Sequence, residues 1–366
     1  MSDNAIPAEA LRRALKGRGA ASALAHRFSG DARAAVDDGW GTFEQGQAEL
    51  PAQLATEVRW EDCRSALSHN QSPDVGFDRS LNPYRGCEHG CVYCYARPTH
   101  SYLNLSPGLD FETKLVAKRG FAEALRRELG SPRYRPRTIA IGTATDAYQP
   151  VERELRITRS VIELLHEVRH PLGIVTKSAG VERDIDLLAP MAAERLATVW
   201  ITLTTLDAAL ARRLEPRAAS PARRLRTVRA LSEAGIPVGM SLGPQIPFLN
   251  EDMEQALDAA HAAGARSAFY TVIRLPWEVA PLFREWLEVH YPQRAARVME
   301  RIREMHGGRD YDADFATRMR GGGTWAQLIR RRFDIACRRL GLNEERLALD
   351  ASQFRPPGPA GQGSLF

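Results

Sequence analysis

Cysteine is scarce in this chain, with five in 366 residues. Five thiols, three of them crowded together, do not make a disulfide framework and fit metal or redox chemistry better. No segment approaches the run of about 20 apolar residues that a membrane-spanning helix needs, so no membrane partner is expected. The opening stretch, MSDNAIPAEALRRALKGRGA, is charged and broken by Pro and Gly, unlike a secretory leader, and a cytoplasmic location is the expectation. Charge excess is slight: 50 Lys and Arg against 45 Asp and Glu leave a net +5. That is a mild bias toward anionic partners and decides nothing alone. Internal repeats are missing as well.

What is present is an alternation. Short β-branched or apolar runs predict buried strands at TIAIGT (138–143), GIVTKS (173–178), TVWITLTT (198–205), PVGMSLGP (237–244) and AFYTVIRLP (268–276), after a first strand around Ser80–Tyr84. Segments of helical period separate them. Ser220 is placed to cap a helix opened by Pro221, with Leu225, Val228 and Leu231 recurring before Gly235 stops it. Asn250 is placed to cap the next, which carries Met253, Leu257 and Ala260 on one face and ends at Gly264. A further helix, from about Glu152 to Val168, puts Leu155, Ile162 and Leu165 on one stripe.

This series predicts an α/β fold: a partial (β/α)6 TIM-like barrel of parallel strands with a helical C-terminal extension. An open doubly wound sheet is the alternative, because strand order is not legible. Residues 1–55 read as a mostly disordered arm, 56–290 as the barrel, 291–345 as the helical extension and 346–366 as a flexible tail. Active sites of parallel barrels form where strands end, which singles out the cysteine loop, TATDAYQP, TKS and TLTT.

The loop GCEHGCVYCY holds Cys87, Cys91 and Cys94 in the pattern C-x3-C-x2-C. Three thiolates can hold three irons of a cubane [4Fe–4S] cluster and leave the fourth iron open to a small molecule. Gly86 and Gly90 let the loop bend around an inorganic core. A Cys3His zinc site using His89 or His100 is the competing reading.

The spacing, with Tyr93 before the third cysteine and the strand–helix series behind it, resembles the radical S-adenosylmethionine (radical SAM) superfamily. SLNPYRGCEHGCVYCYARPTH and TATDAYQPVE are similar to the branch that includes spore photoproduct lyase and proteins labelled DNA repair photolyases. KGRGA and RF near the amino terminus resemble an uncharacterised subgroup of it. The resemblance implies a [4Fe–4S] cluster on the three cysteines, S-adenosyl-L-methionine on the open iron, and a 5′-deoxyadenosyl radical that abstracts hydrogen. It also implies an external electron donor, flavodoxin- or ferredoxin-like.

By the same resemblance, Thr145 and Asp146 match the loop that receives the methionine amine, with Tyr148 in the same element. Lys177 matches a lysine that pairs with the methionine carboxylate. Thr202 and Thr204 lie where the ribose is bound, and Glu215 and Arg217 help fix the cofactor. Each has a plainer reading: strand hydroxyls for the threonines, a turn for Asp146, a surface pair for Glu215 and Arg217.

The match breaks at the late hydrogen donor, a cysteine in the lyases. Cys63 and Cys337 fall off the predicted strands and read as packing residues, which leaves Tyr148 or Tyr270 as donor candidates. The substrate class implied is a nucleic acid or nucleotide, with a protein or small metabolite as the alternative and a non-catalytic zinc or iron–sulfur module as the third reading. The helix TWAQLIRRRFDIACRRLG, opened by a capping box of Thr324 and Gln327, carries Arg330, Arg331 and Arg338, after Arg318 and Arg320. Its arginine face is either a phosphate contact or a solvated surface.

Overall fold

Strands joined through helices cannot pair as hairpins, and here they line up in chain order. The computed structural model describes residues 17–28, 54–345 and 348–358. Its strands are β1 (Glu57–Asp62), β2 (Leu67–His69), β3 (Arg79–Leu81), β4 (Tyr84–Arg85), β5 (Lys114–Arg119), β6 (Ile139–Ile141), β7 (Leu172–Thr176), β8 (Ala197–Thr202), β9 (Val238–Gln245) and β10 (Ser267–Val272). The main sheet runs β10-β9-β8-β7-β6-β3-β2. Its pairs from β3 to β10 are all parallel, and β2 adds an antiparallel edge. Among the described residues β10 does not pair back to β3, so the six parallel strands form a partial barrel, as the alternation predicted.

Strand parity divides the sheet chemically. Ile139, Ile141, Leu172, Ile174, Val199, Ile201, Met240, Leu242, Ala268 and Tyr270 face the helices and make the main core. The opposite face is mostly small or polar. Ser80, Ala140, Gly173 and Thr198 share one register row, and Thr202, Ser241 and Phe269 another. Between these rows Trp200 projects inward, its ring centroid 5.0 Å from that of Phe269. Gly239 beside it is obligatory, since a Cβ there would stand 2.4 Å from the indole.

Ser220 caps the helix Pro221–Glu233 through the Arg223 N–H at 3.3 Å, as predicted. Three local readings differ. Asn250 caps nothing: its buried amide accepts from the Ile246 N–H (2.6 Å) and donates to the Thr204 and Pro244 carbonyls, stapling the β9 exit, while Asp252 stands at the N-cap of Met253–Ala262. The helix expected over 152–168 breaks at Arg156, φ 51°, into Glu152–Leu155 and Ile157–Glu167. The helix Gly323–Leu340 starts from Gly322 without a side-chain cap, so the Thr324–Gln327 box does not form.

A second sheet of order β1-β5-β4 carries the stem of the cysteine loop. Of the expected amino-terminal arm, residues 1–16 and 29–53 lie outside the described residues; residues 17–28 pack, with Arg18, Ala20 and His26 buried. Of the expected tail, 346–347 and 359–366 lie outside them. Residues 348–358 run along the strand-start side, where the Asp350 N–H donates to the Arg195 carbonyl and the Arg355 N–H to that of Val168, both at 2.9 Å.

There Phe354 meets His170 edge-on at 5.2 Å. His170 is fully buried, with Nδ1 3.0 Å from the Pro171 carbonyl and Nε2 2.7 Å from the Tyr134 hydroxyl. A carbonyl only accepts, so Nδ1 carries the proton and Nε2 accepts. This neutral ring has its pKa pushed down by burial to about 4. Because the unfolded chain takes up the proton first, stability is complete above pH 6.5 and falls as pH drops from 6.5 toward 4, by about 3 kcal/mol. Urea unfolding at pH 7 and pH 4.5 should show this loss, and His170→Gln should flatten it.

Candidate active site

The loop of Cys87, Cys91 and Cys94 leaves β4 and lies across the ends of the barrel strands. Gly86 and Gly90 hold it in left-handed turns, φ 80° and 67°. A Cβ on Gly86 would approach Leu115, His100 and Phe111 to 2.8–2.9 Å, so the curl needs glycine. Gln149 fastens the loop to the β6 exit: its buried amide accepts from the Glu88 N–H at 2.9 Å and donates to the Gly86 carbonyl at 3.2 Å. Glu88 in turn accepts from the Val151 N–H (2.7 Å) and Thr56 (2.8 Å) and pairs with Arg217 at 3.0 Å. Arg217 therefore braces the loop from outside.

Beneath the loop sits a buried polar cluster. The Tyr93 hydroxyl donates to Glu215 and lies 3.2 Å from Thr204 Oγ1, which also donates to Glu215 and contacts the Gly243 carbonyl at 3.2 Å. Arg224 pairs with the other oxygen of Glu215 and donates to the Thr202 carbonyl at 2.9 Å. Both partners of this pair are 2% exposed. Burial works against the Glu215 carboxylate, but Arg224 and Lys177 overcome it and bring its pKa to about 2. Burial likewise opposes the Lys177 charge, while Cys91 and Glu215 keep it protonated. Among the described residues the Lys177 ammonium has no hydrogen bond or ion pair, only the Tyr93 ring at 5.8 Å.

Asp146 binds the end of β7 to the β6 exit. It accepts from the Thr176 hydroxyl and the Lys177 N–H, both at 2.7 Å, and from the Tyr148 N–H at 2.9 Å, with His89 Nδ1 3.3 Å away. Burial opposes its charge, yet His89 and these donors hold its pKa below the usual carboxylate range. Thr145 is buried beneath the Tyr84 carbonyl at 3.5 Å. Thr202 is buried on the inner face, and among the described residues its hydroxyl has no hydrogen bond.

The two tyrosine candidates point away from the lumen. Tyr148 donates to Asp184 at 2.9 Å in the helix layer, and Tyr270 packs on Phe333 of the C-terminal helix at 4.8 Å, with Arg320 over its ring at 4.2 Å. Cys337 is in the main core, and Cys63 lies by Ser65 at the β1 exit. At the mouth stands a pair that the sequence did not single out: Arg274, at the β10 exit, lies 4.5 Å over the ring of Tyr95, which is 47% exposed. Among the described residues Arg274 has no carboxylate partner.

The donor set suits an iron–sulfur cubane. Cys87 and Cys91 are buried, and burial pushes the Cys91 thiol up to about 12 against the pull of Lys177; Cys87 is raised as well. A metal bound there would have to displace these protons, since the ligand is the thiolate. Among the described residues no three His, Cys, Asp or Glu side chains converge as around one ion. A cubane presents separate iron corners to its ligands.

Residues 81–260 match the family described as the Radical SAM superfamily. An uncharacterised protein of Mycobacterium tuberculosis is 36% identical over 247 residues, 66% of this chain and 72% of that relative. The chain belongs to the radical SAM superfamily. An uncharacterised protein of Methanocaldococcus jannaschii is 26% identical over 216 residues, 58% of this chain and 76% of its own. A solved spore photoproduct lyase variant with dinucleoside spore photoproduct shares the radical SAM fold, with TM-score 0.51 at 14% identity over 78% of this chain and 80% of that one. Radical SAM proteins are enzymes, and the superfamily implies a [4Fe–4S] cluster and S-adenosylmethionine.

The Glu215–Arg224 pair offers a direct test of the geometry. Arg224→Met alone strands a buried carboxylate and should cost about 3–5 kcal/mol in urea unfolding. Adding Glu215→Gln should recover part of that loss.

Proposed function

We propose that this radical SAM enzyme binds a [4Fe–4S] cluster through Cys87, Cys91 and Cys94, takes S-adenosylmethionine at the iron they leave open, and acts on a nucleic acid or nucleotide. The observation that carries this reading is three thiols on one glycine-hinged loop, with Cys63 and Cys337 packed elsewhere. When bound, the cluster and S-adenosylmethionine supply reductive cleavage of the sulfonium C–S bond and a 5′-deoxyadenosyl radical for hydrogen abstraction, with electrons from a flavodoxin- or ferredoxin-like donor.

The chain's own side chains orient these groups. Lys177, an ammonium that makes no ion pair among the described residues, suits the methionine carboxylate. Thr202, whose hydroxyl makes no hydrogen bond among the described residues, suits the ribose, whereas Thr204 is committed to Glu215 and serves through Tyr93. Glu215 sets the height of Tyr93 rather than touching the cofactor. Asp146, with its oxygens occupied, aligns the backbone before Lys177.

For the substrate, Arg274 over Tyr95 offers a cation that makes no ion pair among the described residues beside a flat ring, a combination that suits a phosphate next to a base. A solved spore photoproduct lyase carries AdoMet and a dinucleoside photoproduct together, which agrees with that choice. On the C-terminal helix Arg332 and Arg339 dock on Glu254 and Asp258, both at 2.6 Å, whereas Arg330, Arg331 and Arg338 of the expected arginine face are exposed, with Arg330 3.8 Å from Asp334.

Reconstituted without oxygen, the chain should bind iron and sulfide as a cubane and, once reduced, convert S-adenosylmethionine to 5′-deoxyadenosine. Alanine at any one of the three loop cysteines should abolish both; zinc without acid-labile sulfide would refute the reading. Lys177→Ala should weaken S-adenosylmethionine binding by about 1.5–3 kcal/mol in calorimetry. Affinity for a single-stranded oligonucleotide should fall with log salt and drop further in Arg274→Ala. A flat salt response would move the substrate to a protein or small metabolite.

A further inference from the structure

One of the buried, fully braced carboxylates lies behind the cysteine loop rather than beneath it. Glu112, 0% exposed, accepts from the Gly19 N–H on one oxygen and from the Ala20 N–H on the other, both at 2.9 Å, and pairs with Arg97. Arg97 is equally buried. Its Nε donates to the Cys91 carbonyl at 2.9 Å, and its Nη1 to the Pro107 and Gly108 carbonyls at 3.0 and 2.9 Å. Arg18 closes the ring by donating to the Glu112 carbonyl at 2.7 Å and to Thr56 at 3.3 Å. The stretch of chain at 18–20 thus lies main chain to main chain on the loop between Cys87 and Cys91. A Cβ on Gly19 would stand 1.8 Å from the Gly90 carbonyl oxygen, and one on Gly90 would stand 2.8 Å from Glu112.

The same segment reaches across the open side of the barrel. Ser22 donates to Glu285 at 2.7 Å, and Arg27 pairs with Glu278 at 2.9 Å; these acids belong to the helix Val279–His290, after the last strand, and to the residue before it. The Ser22 carbonyl also accepts from the Leu109 N–H at 3.1 Å. One short segment therefore ties the cysteine loop to the element that follows β10.

We infer that Arg18, Gly19 and Ala20, acting through Glu112 and Arg97, are positioning residues that latch the cluster-binding loop from behind. This rests on the reading of Cys87, Cys91 and Cys94 as cluster ligands. A loop must hold three sulfurs to metal-bond tolerance, and residues behind the ligands set that tolerance. With the latch closed, the Cys91 carbonyl is fixed by a guanidinium that cannot move, because its own carboxylate is saturated. With it open, Glu112 loses two backbone donors, its hold on Arg97 is no longer braced, and the loop loses its backing.

The test uses the full chain, reconstituted anaerobically, as wild type, Gly19→Ala and Arg18→Gln. Both changes disturb a buried cluster, so thermal unfolding of each apo-protein is measured beside wild type and iron retention is compared at a temperature where all three chains are folded. Iron retention against a competing chelator should fall about 10-fold or more in Gly19→Ala, and less in Arg18→Gln. The paramagnetic resonance of the reduced cluster should broaden in the same order. Wild-type retention and line shape in both variants overturns the latch. A wild-type chain that takes up no cluster overturns the cluster reading and the latch with it, so the two failures are told apart.

Discussion

A loop without regular structure keeps three sulfurs in place only if its backbone is held from outside, and here buried carboxylates do the holding. Glu88, Glu112, Asp146 and Glu215 surround the cysteine loop, and each is saturated by backbone N–H groups, hydroxyls or an arginine. Such charges are expensive to bury and tolerable only when every lone pair is used. Removing any donor leaves a charge that the interior cannot solvate. The loop is therefore rigid because its alternatives are costly, not because its own contacts are many.

The same arrangement sets the electrostatics of the mouth. The carboxylates face backward, into arginines and main-chain donors. Two cations that make no ion pair among the described residues, Lys177 and Arg274, remain at the strand ends. A site built this way repels little that is anionic in front of it, although the chain carries 45 acidic residues. Arg332 and Arg339 of the C-terminal helix instead clamp helix to helix. Arg318, ahead of that helix, holds Asp74 through two bonds of 2.6 and 2.7 Å.

Much of the scaffold was legible. The predicted strands at 138–143, 173–178, 198–205, 237–244 and 268–276 each overlap an observed strand, because buried parallel strands write themselves as β-branched apolar runs. The three-cysteine loop was legible because thiol spacing is rare in chance sequence. Tyrosine orientation was not: Tyr270 lies between Phe269 and Thr271, and a shift of one residue turns a side chain from lumen to helix layer. The sheet β1-β5-β4 escaped because β1 is charged and exposed and its partner lies far along the chain. Glu112 and Arg97 were not singled out, since nothing in their local sequence marks a buried charge; only packing reveals that both are buried. Arg156, with its left-handed backbone, carries no sequence signal for the break it makes.

Trp200 and Phe269, with the bare backbone of Gly239 beneath the indole, turn the barrel from a tube into a cup. With that floor of aromatic rings beneath it, a molecule held at the strand ends would rest on one side of the sheet's midline and against the indole rather than pass between the strands.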